Sequence, residues 1–319
     1  VKPVLIDNTQ NSSSLTDYQI KLHVNYDSSM QSDFDDLRFT NAQGTDLNYW
    51  IEQKSDGVEA DVWVKVDYIP ANSWQIIYMW YGNSGASSQS NASNTMLIYE
   101  GFEDGSFGYF SNYYGSNYFG ITSYNKRGGN YGIQATDTSN SGGGGRFSSD
   151  GTFWSQNDII IEFWMRNDHD STDGSQAIFF IKGSDRKGNL AIQDNGTFTY
   201  WNGSDNTIGS CSKKVWYKFV VTLKYNSSTW DFIIYDNYGK PLYSYTNLSM
   251  GSYSDANYRD ITLYTSLAAL GSEFFDEFFA RTYTPIEPKV SIGASIEFQT
   301  RTSSDGQNWE EWKPVGGEN

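Results

Sequence analysis

Short runs of alternating apolar and polar residues recur along the whole chain and constrain its fold more than any other feature. Residues 18–26 read YQIKLHVNY, in which every second residue is apolar, as expected for a strand with one buried face. Clusters of Gly, Asn and Ser separate such runs, and aromatic residues make up 17% of the 319 residues. No segment shows a helical pattern over more than two turns. The sequence therefore predicts an all-β protein.

The length of the chain and one polar stretch indicate two domains. Residues 83–95 are rich in Ser, Asn and Gly and have no apolar periodicity. We place a first β-sandwich at residues 1–97 and a second at 98–295. Residues 296–319 are too few to bury a core of their own. They are predicted to form a C-terminal β-hairpin or to begin a further β-module.

Charge and cysteine content exclude several classes of partner and site. The formal net charge is −16, which disfavours nucleic acids and anionic lipids because phosphate binding needs clustered Lys and Arg. Cys211 is the single cysteine, so an internal disulfide cannot form. Only His23 and His169 could join Cys211 in a zinc site. Zinc and iron–sulfur sites are therefore not expected.

Several features point to a secreted or cell-surface location. No apolar run approaches the roughly 20 residues that span a bilayer, so no membrane insertion within the chain is expected. The sequence starts at Val1 without Met, which fits either removal of a signal peptide or a fragment. Glycosylation acceptors of the Asn-x-Ser/Thr type are predicted at Asn11, Asn91, Asn195, Asn202, Asn226 and Asn247.

The first hundred residues resemble a prokaryotic, often archaeal, surface module known as domain-of-unknown-function family 2341. The resemblance covers residues 1–94 almost completely. Its matching stretches are KPVLIDNT, LTDYQIKLHV, DFDDLRFTNAQGTDLNYWIE, VWVKVDYIPA and IIYMWYGNSGASSQSN. The resemblance implies a β-sandwich displayed on a cell surface.

The second part of the chain resembles concanavalin A-like, or laminin-G-like, domains. The segments that carry this resemblance occur in the family's order, and they are IIIEFWMR at 159–166, KKVWYKFVVTLKYN at 213–226 and FFDEFFARTYTPIEPKVSIGAS at 274–295. The resemblance implies a jelly roll, and the whole chain is then a pair of tandem β-sandwiches.

A glycosidase of this fold would need carboxylates at even spacing on one strand face, flanking the scissile bond. In EFFDEFF, strict alternation places Glu273 and Glu277 on one face and Asp276 on the other. The strand at 159–166 holds a single acid, Glu162. We therefore predict that the chain is not an enzyme.

The resemblance to carbohydrate-binding jelly rolls implies a calcium site between the first and last strands of the second domain. Such domains begin with a GFEDG segment and end with an acidic strand, as residues 101–106 and 274–279 do here. Glu103 and Asp276 would be ligands, assisted by Asp104 or Glu277. The alternative, that these are solvated acids of turns and of a surface strand, stays open.

A sugar site is suggested by YWNGSDN at 200–206. Trp201 would stack on a sugar ring, with Asn202 and Asp205 as polar contacts. The alternative is that Trp201 packs in the sandwich like most aromatic residues of so aromatic a chain.

These features predict a non-catalytic extracellular or cell-surface binding or adhesion module, with a glycan or a surface protein as partner. One alternative is a structural subunit of a surface filament or sheath, which would self-associate by strand exchange. The segment IEFQTRT and the tryptophans Trp309 and Trp312 would be the donated part. Another alternative is an accessory carbohydrate-binding module of a larger polysaccharide-active protein.

Overall fold

The computed structural model forms two compact units, Val1–Thr95 with Pro285–Asn319 and Met96–Thr284. It describes residues 1–114, 119–137, 143–149, 158–169, 175–182, 185–224, 227–250, 260–267, 271–294, 299–300 and 313–314.

Strands dominate the described residues, which include a single short helix, α1 (Ala92–Thr95). The earlier strands are β1 (Lys2–Asp7), β2 (Leu15–Asn25), β3 (Arg38–Thr40), β4 (Tyr49–Ser55), β5 (Glu59–Ile69), β6 (Trp74–Trp80), β7 (Ile98–Glu100), β8 (Phe110–Tyr114), β9 (Phe119–Thr122), β10 (Gly132–Asp137), β11 (Gly143–Ser149) and β12 (Ile159–Asn167). The later strands are β13 (Ser175–Lys182), β14 (Asp185–Gln193), β15 (Thr197–Trp201), β16 (Asp205–Ser210), β17 (Trp216–Lys224), β18 (Thr229–Tyr235), β19 (Pro241–Ser249), β20 (Asp260–Leu267), β21 (Gly271–Thr282), β22 (Lys289–Ile292), β23 (Gln299–Thr300) and β24 (Lys313–Pro314).

The first unit packs two antiparallel sheets on each other, ordered β22-β1-β6-β3 and β2-β5-β4. Alternate residues of each strand fill the space between the sheets. Ile20, Val62 and Val64 come from one sheet, and Val4 and Ile77 come from the other. The alternation seen in residues 18–26 therefore has its predicted cause, one buried face.

One strand of the first unit comes from the far end of the chain. β22 pairs with β1 from Val4–Ile292 to Asp7–Lys289, and Val290 packs against the first core. Sequence analysis assigned this segment to the second domain. In the C-terminal segment, β23 pairs with β24, whereas Trp309 and Trp312 lie outside the described residues.

The second unit also consists of two antiparallel sheets. One has the order β19-β18-β17-β12-β21-β10-β9, with β7 also paired to β21, and the other has the order β16-β15-β14-β13-β20-β11-β8. Aromatic rings fill the core, where Phe163 stacks on Phe219 and Phe198 meets Tyr217 edge-on, with ring centroids 5.3 and 4.9 Å apart. The predicted all-β fold class is confirmed.

Candidate functional site

A β-bulge in β21 decides where the acids of EFFDEFF point. The register between β12 and β21 shifts between Glu162 and Trp164, and Glu277 has a φ of 51°. A bulge adds one residue to a strand, so the faces exchange beyond it. Strict alternation predicted that Glu273 and Glu277 share a face. In the structure they do not. Glu273 faces the core, as Phe275 does, while Glu277 sits at the bulge next to Asp276.

Glu273 belongs to a fully buried polar network that joins the two sheets of the second unit. Asn167, at the end of β12, donates from Nδ2 to Glu273 Oε1 at 3.3 Å and to Asp194 Oδ1 at 2.7 Å. Asp194 follows β14 in the other sheet, and its Oδ2 lies 2.7 Å from His169 Nδ1. These groups are inaccessible to substrate, so the network is structural.

Glu103, Asp276 and Glu277 meet at the loop 123–131, between β9 and β10. Glu103 accepts hydrogen bonds from the backbone N–H of Asn130 at 2.7 Å and of Tyr131 at 3.0 Å. Asp276 Oδ2 accepts from the N–H of Arg127 at 2.6 Å. The structure thus brings three of the four predicted metal ligands to one loop.

Glycines allow this loop to come so close to the carboxylates. A Cβ atom at Gly128 would overlap Glu277 Oε1, and one at Gly129 would overlap the Glu103 carboxylate. Gly129 also has a φ of +50°, which most side chains avoid. The glycine-rich sequence of the loop is therefore required by the acids that it contacts.

The electrostatics of this site reflect crowded negative charge. Burial and, to a smaller extent, the charge of Glu103 raise the pKa of Asp276 to about 7, against the lowering effect of its backbone hydrogen bonds. Burial also raises the pKa of Tyr99, with additional contributions from Glu277, Asp276 and Glu103. The four groups therefore lie close enough to influence one another.

The fit of a metal ion to these residues is partial. Carboxylate oxygens are the donors that Ca²⁺ prefers, but here the oxygens of Glu103 and Asp276 face backbone N–H groups. Asp104, the fourth predicted ligand, is exposed and accepts from Ser106 N at 2.8 Å instead. Among the described residues, no group of three or more His, Cys, Asp or Glu could hold a metal ion.

The three predicted sugar-binding residues lie in the hairpin of β15 and β16. Trp201 pairs with Asp205 across the hairpin and is partly exposed. Asn202 lies in the turn, and its Oδ1 accepts from Asn206 Nδ2 at 3.1 Å. Gly203 follows with a φ of 119°. The turn thus holds one aromatic ring and several amide groups at the end of the sheet.

Sequence reasoning missed the neighbours of Trp201 on the same sheet face. Leu190 and Ile192 of β14 point into the core, so Asn189 and Gln193 point outward. Asn189 pairs with Trp201 and is 7% exposed, and its Oδ1 has no hydrogen-bond partner in the described part of the chain. Gln193 Nε2 donates to Thr199 Oγ1 at 2.7 Å. The alternation in NLAIQ was the signal that could have located these amides.

The predicted glycosylation acceptors differ in accessibility. Asn91, Asn195 and Asn247 are exposed, and Asn202 is partly exposed. Asn11 is buried and donates from Nδ2 to Ile286 O at 3.1 Å, so a glycan there would break this bond. Asn226 lies outside the described residues.

Comparison with known families confirms the family of the first resemblance, but with bounds other than the predicted residues 1–94. The family described as "Domain of unknown function (DUF2341)" matches residues 33–111. No curated protein matches the sequence. Within the described residues, no helix has the length and apolar character needed to cross a membrane.

Solved structures with similar β-architecture include proteins that act on or bind carbohydrates. A sialidase is 11% identical with a TM-score of 0.44, and the match covers 71% of this chain and 20% of the sialidase. The chain thus spans about a fifth of that sialidase. TmCBM61 in complex with beta-1,4-galactotriose is 11% identical with a TM-score of 0.33, covering 57% of this chain and 94% of its own. The catalytic domain of the glycoside hydrolase family 131 protein from Coprinopsis cinerea is 14% identical with a TM-score of 0.40, covering 62% and 88%.

Proposed function

We propose that the chain is a non-catalytic, extracellular glycan-binding module whose second unit binds sugar beside Trp201. The observation that carries this proposal is the position of Trp201, which is partly exposed on an outer sheet face that also carries Thr199 and Gln193.

The chemistry of the surrounding face supports the same ligand class. Gln193 and Thr199 lie on the face of Trp201 and Asn189, and they offer amide and hydroxyl groups without charge. An indole ring packs against the C–H face of a sugar while such groups bind its hydroxyls. The carboxylate of Asp205, opposite Trp201, disfavours acidic sugars, so the site is suited to a neutral sugar.

The placement of the acids supports binding without cleavage. A glycosidase needs two carboxylates on either side of an accessible bond. Glu273 is fully buried, and Glu162 is buried in an ion pair with Lys218 at 2.7 Å. Asp276 is held by the loop 123–131.

Substitution of Trp201 tests the sugar site. Titration calorimetry against a panel of neutral oligosaccharides should show binding by the native chain and at least about a tenfold loss of affinity in Trp201→Ala. Tyr238→Ala is the matched control, because Tyr238 is 92% exposed in the same unit and lies away from this face. Equal affinity in Trp201→Ala and Tyr238→Ala would contradict the proposal.

We also propose that Glu103, Asp276 and Glu277 come to hold a structural Ca²⁺ once the loop 123–131 rearranges around the ion, because the described residues contain no ready-made group of three such ligands. Three carboxylates at one loop support this, as does the burial of Asp276, whose oxygens accept from the backbone N–H groups of Arg127 and Gly128. For a cation to bind there, backbone carbonyls of the loop would have to replace the N–H groups that now face the acids.

Thermal unfolding with calcium and with a chelator tests this second proposal. Calcium should raise the Tm of the native chain, because an ion that binds only the folded state stabilises it. The increment should vanish in Asp276→Asn and remain in Asp104→Asn, the control acid outside the cluster. No increment in the native chain, or the same increment in both variants, would reject calcium.

A further inference from the structure

A row of apolar side chains lies on the outer face of the first unit. Trp74, Ile76 and Trp80 of β6 are 50%, 39% and 40% exposed, and Tyr78 between them is partly exposed. They share this face because Ile77 and Met79 occupy the alternate positions and are buried.

The neighbouring strand widens the row. In the pairing of β1 with β6, Pro3 lies opposite Tyr78 and Leu5 lies opposite Ile76. We call this surface the β6 strip, and its members are Pro3, Leu5, Trp74, Ile76, Tyr78 and Trp80. A continuous apolar surface is unusual on an outer sheet face, which normally carries polar residues.

The strip carries no formal charge. Charged residues stand only beyond its ends, where Asp7 accepts from Thr9 Oγ1 at 2.6 Å and lies opposite the exposed Lys289, and where Arg38 donates to Ser87 O at 2.7 Å. The net charge of −16 disfavours an acidic ligand anywhere on the chain. The fitting occupant is therefore a neutral molecule.

The dimensions of the strip fit a linear ligand better than a protein. Trp74 and Trp80 are six residues apart on one strand, or roughly 20 Å. The rings of Tyr78 and Trp80 have centroids 6.5 Å apart, and Trp80 Nε1 donates to Thr40 Oγ1 at 3.0 Å, which orients the indole. The three aromatic rings of the strip and Ile76 together expose roughly 300–400 Å². This area is well below the ~800 Å² that each partner buries in a stable protein interface.

We infer that the β6 strip binds a neutral polysaccharide chain lying along β6, separately from the site at Trp201. Tryptophans at both ends and a tyrosine between them offer stacking surfaces to successive sugar units. Ser291, which is exposed and lies opposite Leu5 at one side of the strip, offers a hydroxyl group to the sugar hydroxyls.

Depletion of the protein from solution by insoluble cellulose, chitin and β-1,3-glucan tests this inference. The experiment uses the full chain carrying Trp201→Ala, so that the strip is measured alone. This protein should bind at least one of the three polysaccharides, and Trp74→Ala with Trp80→Ala should weaken the binding at least about tenfold. His23→Ala is the matched control, since His23 is exposed on the other sheet of the same unit.

Both tryptophans are about half exposed, so the double variant should keep the Tm of its parent within a few degrees. The inference is overturned if none of the three polysaccharides binds, or if the double variant binds as its parent does. It is also overturned if sedimentation shows a dimer that the double substitution dissociates, because a second copy would then occupy the strip.

Discussion

Each unit contains one histidine paired with an aspartate, and the two pairs lie in opposite environments. In the first unit, His23 Nδ1 lies 2.9 Å from Asp61 on the outer face of the β2-β5-β4 sheet, with about half of the His23 side chain exposed. In the second unit, His169 Nδ1 lies 2.7 Å from Asp194, and both side chains are fully buried. The same kind of His–Asp pair therefore lies on a solvated surface in one unit and in the buried interior of the other.

The difference shows how the surroundings assign a role to a pair. Lys21 Nζ lies 3.1 Å from Asp61, and Gln53 donates a hydrogen bond to Asp61 at 2.9 Å. The His23–Asp61 pair is therefore part of a cluster of polar and charged side chains on the outer face of the sheet. Around Asp194, Asn167 links the pair to Glu273 in the opposite sheet. The exposed cluster keeps the outer face of its sheet hydrated, whereas the buried network connects two sheets.

Breaking the buried pair should have the largest effect. Asp194→Ala leaves His169 and Asn167 without their carboxylate inside the core, and we expect the second unit to lose about 3–5 kcal/mol of unfolding free energy. Urea unfolding of the full chain measures this loss. A loss below about 1 kcal/mol would mean that water reaches the site and that the contrast between the pairs is wrong.

Breaking the exposed pair should cost much less. Asp61→Ala should lower the unfolding free energy of the first unit by about 0.2–1 kcal/mol, because exposed ion pairs gain little over hydration. Added salt should reduce the effect further through screening. A loss of unfolding free energy as large as that of Asp194→Ala, measured in the same urea series, would contradict the distinction between the exposed pair and the buried pair.

The smallest effect concerns pH. The hydrogen bond with Asp61 raises the pKa of His23 above 6.5, whereas burial would lower it. Burial would raise the pKa of Asp61, but His23 and Lys21 lower it overall. The pair therefore contributes fully at pH values above the ordinary pKa of Asp61, 3.8, and below that of His23, 6.5. Its contribution is lost as pH rises through the folded pKa of His23, and also as pH falls through that of Asp61.

Proton NMR titration of His23 checks this directly. The midpoint should lie above 6.5 in the native chain and return toward 6.5 in Asp61→Asn. Glu59 also faces His23, at 3.3 Å, so Glu59→Gln should lower the midpoint by a smaller amount. An unchanged midpoint in Asp61→Asn would contradict the pairing.

Local patterns predicted much of the fold. The alternation in β2 and β5 correctly indicated strands with one buried face, because a pleated strand repeats every second residue. The same rule failed at Glu277, since a bulge depends on the neighbouring strand and on the loop 123–131. The pairing of β22 with β1 was equally invisible, because it joins residues far apart in sequence.

For the candidate sites, too, the sequence predicted what depends on neighbouring residues and missed what depends on strand pairing. Glu103 and Asp276 could be suspected from their acidic segments, but not that backbone N–H groups would face their oxygens. Trp201 was recognised from its own turn, whereas Asn189 needed the pairing of β14 with β15. The β6 strip was present in WQIIYMW, but its exposure depends on which side the sheet buries.

One measurement tests the central claim, binding of a glycan without cleavage. The native chain is incubated with insoluble cellulose, chitin and β-1,3-glucan, and bound protein and released reducing sugar are measured in the same tubes. The account predicts that protein is retained on at least one polysaccharide and that no sugar is released above the protein-free blank. Release of sugar that disappears in Glu277→Gln or Glu162→Gln would contradict it.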